Sequence, residues 1–224
     1  MAIYNAQILE ISAAETRRYA GLKNAKNFDE KNISAACDEA LLLLQVRGIY
    51  KIYDYDCQNQ IINSAPPFKI SGNSIIKHLA GCEKVACLAV TVGENIENEV
   101  TKKFDAGEYV SSVLLDAAAT AAVEQAADEL EKAVAREVSK ESLKMRWRFS
   151  PGYGDWLLDN QKKFFYVTGA PEIGMKLTEA LMLVPRKSVT AIIGLEKNIS
   201  ENKTVQHKKS CANCGKIDCI ARSG

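Results

Sequence analysis

The chain has 224 residues, with a hydrophobic fraction of 47%, a charged fraction of 25% and a formal net charge of +1. That length and balance suit one large soluble domain with a substantial core. A charge so near zero argues against bulk electrostatic binding to nucleic acid or to an anionic membrane.

The first ten residues carry neither a basic n-region nor a long apolar run, so no secretory signal is expected there. The longest apolar stretches, such as Ala40 to Val46, are far too short for a membrane span. The expectation is a cytoplasmic protein with reduced thiols. Of the seven cysteines, Cys37, Cys57, Cys82 and Cys87 are scattered and read as buried small hydrophobes.

Ile8 to Tyr19 reads as a short strand and the start of a helix, with Ser12 as cap and Glu15 three residues on in capping-box register. Asn32 to Val46 is an amphipathic pattern that Arg47-Gly48 should close. Ile49 to Tyr55 alternates apolar with Lys and Asp and predicts a half-buried strand. Phe68 to Ile70 predicts a brief strand, and Ser74 to Leu79 a helix. The continuous apolar run Lys84 to Val92 predicts a buried strand that exits into Gly93. Glu94 to Phe104 has acids in its first turn and lysines in its last, as a helix dipole favours. The longest predicted helix follows, from about Ser111 to Ser139, rich in alanine over its first half.

Beyond it the pattern turns irregular around Pro151-Gly152. Asp155 to Phe165 reads as helix-like, with Trp156-Leu-Leu158 as an alternative hook into the core. Lys176 to Met182 alternates weakly before Pro185, and Ser188 to Leu195 predicts a strand. From about Lys197 the chain is polar and lysine-rich and should be an exposed tail, dividing it into a domain over 1–197 and a tail over 198–224. Helices and strands mix without a steady strand–helix repeat. This favours an α+β fold with a mainly antiparallel sheet.

Several chemistries are excluded. There is no Gly-x-Gly-x-x-Gly turn, no phosphate-binding Gly-x4-Gly-Lys loop and no Gly-x-Ser-x-Gly elbow. With only His78 and His207, a Ser-His-Asp catalyst or a His-rich metal catalyst is improbable.

The run Arg148-Phe-Ser-Pro-Gly-Tyr-Gly-Asp155 stands out. Arg148 can grip a carboxylate with two N–H groups, and Tyr153 offers a stacking face and a hydroxyl. Pro151 and Gly152 can shape a loop whose backbone groups stay open to a ligand. The competing reading is a rigid surface turn held by an Arg–Asp ion pair.

Arg148-x-Ser150-Pro151-Gly152-Tyr153 resembles the Arg-x-x-Pro-Gly-Tyr segment of the activation domain of cobalamin-dependent methionine synthase, in its short, free-standing form. Two further runs resemble that family in the same order along the chain: Gly81-Cys-Glu-Lys-Val85 with Thr91-Val-Gly93, and Ile173-Gly-Met-Lys-Leu-Thr-Glu-Ala180 with Pro185 and Ser188-Val-Thr190. The similarity runs from about residue 10 to about residue 197.

The resemblance implies an S-adenosylmethionine site formed by Glu124, Arg148, Ser150, Gly152 and Tyr153, with Glu124 facing the ligand's cationic groups. It implies a cobalamin-binding methionine synthase subunit as partner, with the cobalamin carried by that partner, and an electron donor such as flavodoxin or ferredoxin. The task would be to position the nucleoside for reductive methylation of cob(II)alamin, with no general acid or base in this chain. Glu124 also admits a plainer reading, as a solvated helix glutamate. Two contacts of the family's longer members, an N-terminal acid and a later tyrosine, have no counterpart that the sequence locates.

The last segment carries Cys211-x-x-Cys214-x4-Cys219. Three thiolates at these spacings suit zinc, with His207 as fourth ligand, or an iron–sulfur cluster with one open iron. Free thiols in a tail are the other reading. A metal- or cluster-binding adaptor for another corrinoid methyltransferase is therefore a second functional expectation.

Overall fold

The computed structural model describes residues 3–197. Its framework is a six-stranded sheet, β1 (Arg47–Asp56), β2 (Ile61–Ile62), β3 (Phe68–Lys69), β4 (Lys84–Thr91), β5 (Leu143–Met145) and β8 (Ser188–Lys197), in the order β3-β2-β1-β4-β8-β5. Every pairing in it is antiparallel, as the mixed pattern of elements implied. A separate ribbon pairs β6 (Lys176–Leu177) with β7 (Leu183–Val184).

Helices cover both faces. On one lie α1 (Ala13–Tyr19), α2 (Glu30–Leu43), α4 (Asn95–Asp105) and the 30-residue α5 (Tyr109–Val138). On the other lie α3 (Asn73–His78) and α6 (Gln161–Thr168). This explains the unbroken apolar run of β4. Ala86, Leu88 and Val90 enter the core under α5, while Val85 and Cys87 enter the core under α3 and α6. A strand covered on both faces has no solvent side on which to place polar residues.

The alanines of α5 serve packing. Ala117, Ala118, Ala119, Ala121, Ala122, Ala126 and Ala127 are all buried. Small side chains let the helix axis approach the sheet and its helical neighbours closely.

Three expectations need correction. No strand forms at Ile8; only Tyr4 makes an isolated bridge, to Gly48. Ser12 does cap α1, accepting from the Glu15 N–H at 3.3 Å. The predicted helix over 32–46 starts earlier, capped by Asp29, and ends at Leu43, so Arg47-Gly48 opens β1 rather than closing α2. Gly48 is needed for proximity: a Cβ there would lie 3.2 Å from Leu130 and 3.3 Å from the Tyr4 carbonyl oxygen. Finally, the stretch after Asp155 does not run on as a helix. Trp156 is fully buried as the hook, and regular helix begins only at Gln161.

Candidate functional site

The edge of the sheet next to β8 builds the site. Met145 lies opposite Leu195, and Phe149 opposite Ile192. Four steps on one strand thus match three on the other, so one extra residue is accommodated as a bulge between them. The bulge changes which side chains face which layer. Leu143 and Met145 pack towards α5. Arg146 instead binds the carbonyls of His78 and Ala80 on the opposite face. Trp147 and Phe149 also lie there, their rings 5.0 Å apart and stacked. Arg148 is thereby returned to the α5 side.

There Arg148 meets three carboxylates of α5. Nη2 donates to Glu124 at 2.6 Å, and Nη1 donates to Asp128 at 2.6 Å and to Glu131 at 2.8 Å. The spacing 124, 128, 131 follows one face of a helix, so a single side chain can reach all three. Burial opposes the charge on Arg148, but Glu131, Asp128 and Glu124 override it and hold the guanidinium's pKa above its usual value. Glu131 is raised: burial pushes it up, against the pull of Arg148. Three of the five N–H donors of Arg148 are used; Nε–H and one on Nη2 meet no group among the described residues.

The same face of α5 continues towards its N-terminus. Asp116 pairs with Lys187 at 2.9 Å, and Thr120 accepts from the same ammonium at 2.8 Å. Arg148 and Lys187 are thus two cations held along one helix, separated by the turn from Thr120 to Glu124. Neither Asp128, Glu131 nor Lys187 was singled out from the sequence. The helical repeat of acids 116, 124, 128 and 131 was the signal available.

The loop beyond Arg148 is closed by its own backbone. The Gly152 N–H donates to the Trp156 carbonyl at 2.7 Å, Tyr153 N–H to Ser150 at 3.1 Å, and Trp156 N–H to Tyr153 at 3.0 Å. Gly152 has φ +91°, a region that favours glycine. These amides are spent within the turn, contrary to the expectation of backbone groups held open for a ligand. The loop is rigid for a second reason. Asp155 accepts from the N–H groups of Asn73 at 2.7 Å and Ser74 at 2.8 Å, at the start of α3. Asp155 therefore does not pair with Arg148, as the surface-turn reading required.

The structure brings Arg148 and Glu124 into direct contact and sets Ser150, Gly152 and Tyr153 on the adjoining turn. Tyr153 remains 49% exposed, with its ring centroid 5.9 Å from that of Phe149. Cys211, Cys214, Cys219 and His207 lie outside the described residues. Among the described residues no group of three or more His, Cys, Asp or Glu is arranged to hold a metal ion.

A family model for the vitamin B12-dependent methionine synthase activation domain matches residues 58–206. The chain belongs to this family. The match takes in every strand from β2 onwards, α5 and the whole Arg148–Asp155 loop. Among solved structures, the activation-domain fold recurs in the crystal structure of the MetH reactivation domain bound to AdoHcy, at TM-score 0.59 and 14% identity, over 89% of this chain and 80% of that one. That likeness extends the shared fold over most of the residues preceding the family match. No curated protein is significantly similar to the chain in sequence. No helix among the described residues is long and apolar enough to cross a membrane.

Proposed function

We propose that this chain reactivates a cobalamin-dependent methionine synthase, holding S-adenosylmethionine beside Arg148 and presenting its methyl to a corrinoid on a separate subunit. The observation that carries this reading is the family match across the loop and α5, where Arg148 is fixed by Glu124 yet keeps two N–H donors that meet no group among the described residues. The residues fit such a ligand. A carboxylate can be received by the remaining donors of Arg148. Glu124 and its neighbouring acids suit the ammonium and sulfonium. Tyr153, half-exposed at the rim, offers a face for stacking. Ser150 and Gly152 shape the wall on which that face stands.

S-adenosylmethionine supplies an electrophilic methyl group when bound. The chain's own contribution is orientation, which lowers the barrier without any acid or base. The partner in this reading is a cobalamin-binding methionine synthase subunit in the cytoplasm, with a flavodoxin or ferredoxin as electron donor. Residues 1–197 form the binding domain in this reading. The spacing of Cys211, Cys214 and Cys219 supports a second, separable role for the tail over 198–224, binding zinc or an iron–sulfur cluster. Metal and acid-labile sulfide analysis of anaerobically purified protein tests that role, and protein without either rejects it.

Calorimetric titration of the chain with S-adenosylmethionine tests the main reading. Wild type should bind, and Arg148→Ala should bind at least about tenfold more weakly, because a charge-assisted two-point grip is worth roughly 1.5–3 kcal/mol. Wild type that shows neither binding heat nor protection against thermal unfolding rejects it.

A further inference from the structure

One guanidinium faces three carboxylates at Arg148, so the cluster carries an excess of two negative charges before any ligand arrives. A single carboxylate would suffice to anchor Arg148. Asp128 and Glu131 share Nη1, and the Glu131 side chain is only 26% exposed. Burying a further carboxylate against a cation already paired is costly unless the remaining charge is compensated. Burial raises Glu131 despite Arg148, and the charges of Asp128 and Glu124 push it the same way. The neighbouring cations have carboxylates of their own: Arg18, which lowers the Tyr19 hydroxyl that burial raises first and Glu124 next, pairs with Glu15 at 2.5 Å, and Lys132, which feels Asp128, pairs with Glu129 at 2.6 Å. Lys187, one turn away, is already engaged by Asp116 and Thr120.

We propose that Asp128 and Glu131 are positioning residues that also set the charge preference of this site, so that it takes a cationic sulfonium nucleoside ahead of its neutral thioether counterpart. This rests on the nucleoside-binding reading above. The two nucleosides share adenosine, ammonium and carboxylate, and differ by one methyl and one positive charge. S-adenosylmethionine carries net +1 and S-adenosylhomocysteine net zero at neutral pH. An uncompensated negative cluster attracts the former more strongly, and it releases the spent nucleoside once the methyl has gone.

The test is titration of the full chain with both nucleosides, for wild type, Asp128→Asn, Glu131→Gln and the double variant. Wild type should prefer S-adenosylmethionine, each single variant should reduce the affinity ratio by about threefold, and the double by about tenfold. The charge-preserving Asp128→Glu should keep the ratio. A double variant that weakens both nucleosides equally, with the ratio intact, overturns the proposal and leaves the acids as mere supports for Arg148. Should the variants fail to fold, wild type alone decides: the ratio should fall from low to high salt, and a flat ratio overturns the proposal. Wild type that binds neither nucleoside overturns the underlying reading, and with it this one. Wild type that binds both with equal affinity overturns only the charge preference.

Discussion

Asp155 shows how a residue's partner decides its meaning. Its sequence position beside Arg148 suggested an ion pair, yet its two oxygens take the Asn73 and Ser74 amides. Those bonds, that from the Ser74 N–H foremost, hold its carboxyl below the usual aspartate range. A carboxyl lowered on folding adds stability that is present above its unfolded pKa, near 4, and is lost as pH falls through its folded value. Asp155→Ala should therefore lower the midpoint of thermal unfolding at neutral pH, and the gap from wild type should close as the pH falls through the lowered pKa of the folded carboxyl. A gap that persists undiminished in acid would show that the two amide bonds are not its source. The pairing was invisible in the sequence because residues 73 and 155 are distant along the chain and meet only in the fold, where the buried Trp156 packs beside Gly72. Arg148 was legible as an anion-binding type, and Glu124 was named through the family resemblance, but Asp128 and Glu131 were not. They declare themselves only once a bulge has turned Arg148 towards α5.

At the scale of elements, the strand around that bulge depends on its neighbour. Gly194 of β8 accepts from the Arg146 N–H where the bulge begins. A Cβ at Gly194 would sit 2.6 Å from Cys82 Sγ and 3.1 Å from Leu79 Cδ2. Gly194→Ala should thus overpack the layer under α3 and destabilise the chain by about 1–3 kcal/mol. Denaturant unfolding with an unchanged m-value reads this directly; a midpoint equal to wild type would mean that Leu79 and Cys82 move aside freely. The regular elements were largely legible. β1, β4, α4, α5 and β8 follow from period and from apolar runs, because each has faces that burial must satisfy. The segments that failed are those governed by particular contacts. Gly48 mimics a helix stop but serves the approach of Leu130, and Trp156 interrupts what propensity alone would continue as helix. The bulge was equally hidden, since Leu143, Met145, Trp147 and Phe149 alternate with Lys144, Arg146 and Arg148 as an uninterrupted strand would.

For the whole molecule, two covered faces of one sheet make two cores, and the thiols report on both. Cys37 lies under α5's layer, packed with its Sγ 3.4 Å from the Thr16 hydroxyl, and burial raises its pKa. Cys82 and Cys87 lie in the opposite core. Burial pushes Cys82 up to about 11 and Cys87 higher still, so neither offers thiolate at neutral pH. Cys57 is only half-buried, at the rim of the core that holds Cys82 and Cys87. Alkylation under native conditions, mapped by peptide mass so that the tail thiols are counted separately, should therefore label Cys57 first. Cys37, Cys82 and Cys87 should react only as the fold opens, and if unfolding is a single cooperative event they should react at one common rate despite lying in different layers. Cys87 sits at the centre of β4, which pairs with β1 on one side and β8 on the other, so its exposure requires the sheet itself to part. Labelling of Cys87 as fast as Cys57 would contradict that arrangement, whereas Cys37 reacting well ahead of Cys82 and Cys87 would mean that the α1–α2 layer opens as a unit before the sheet does.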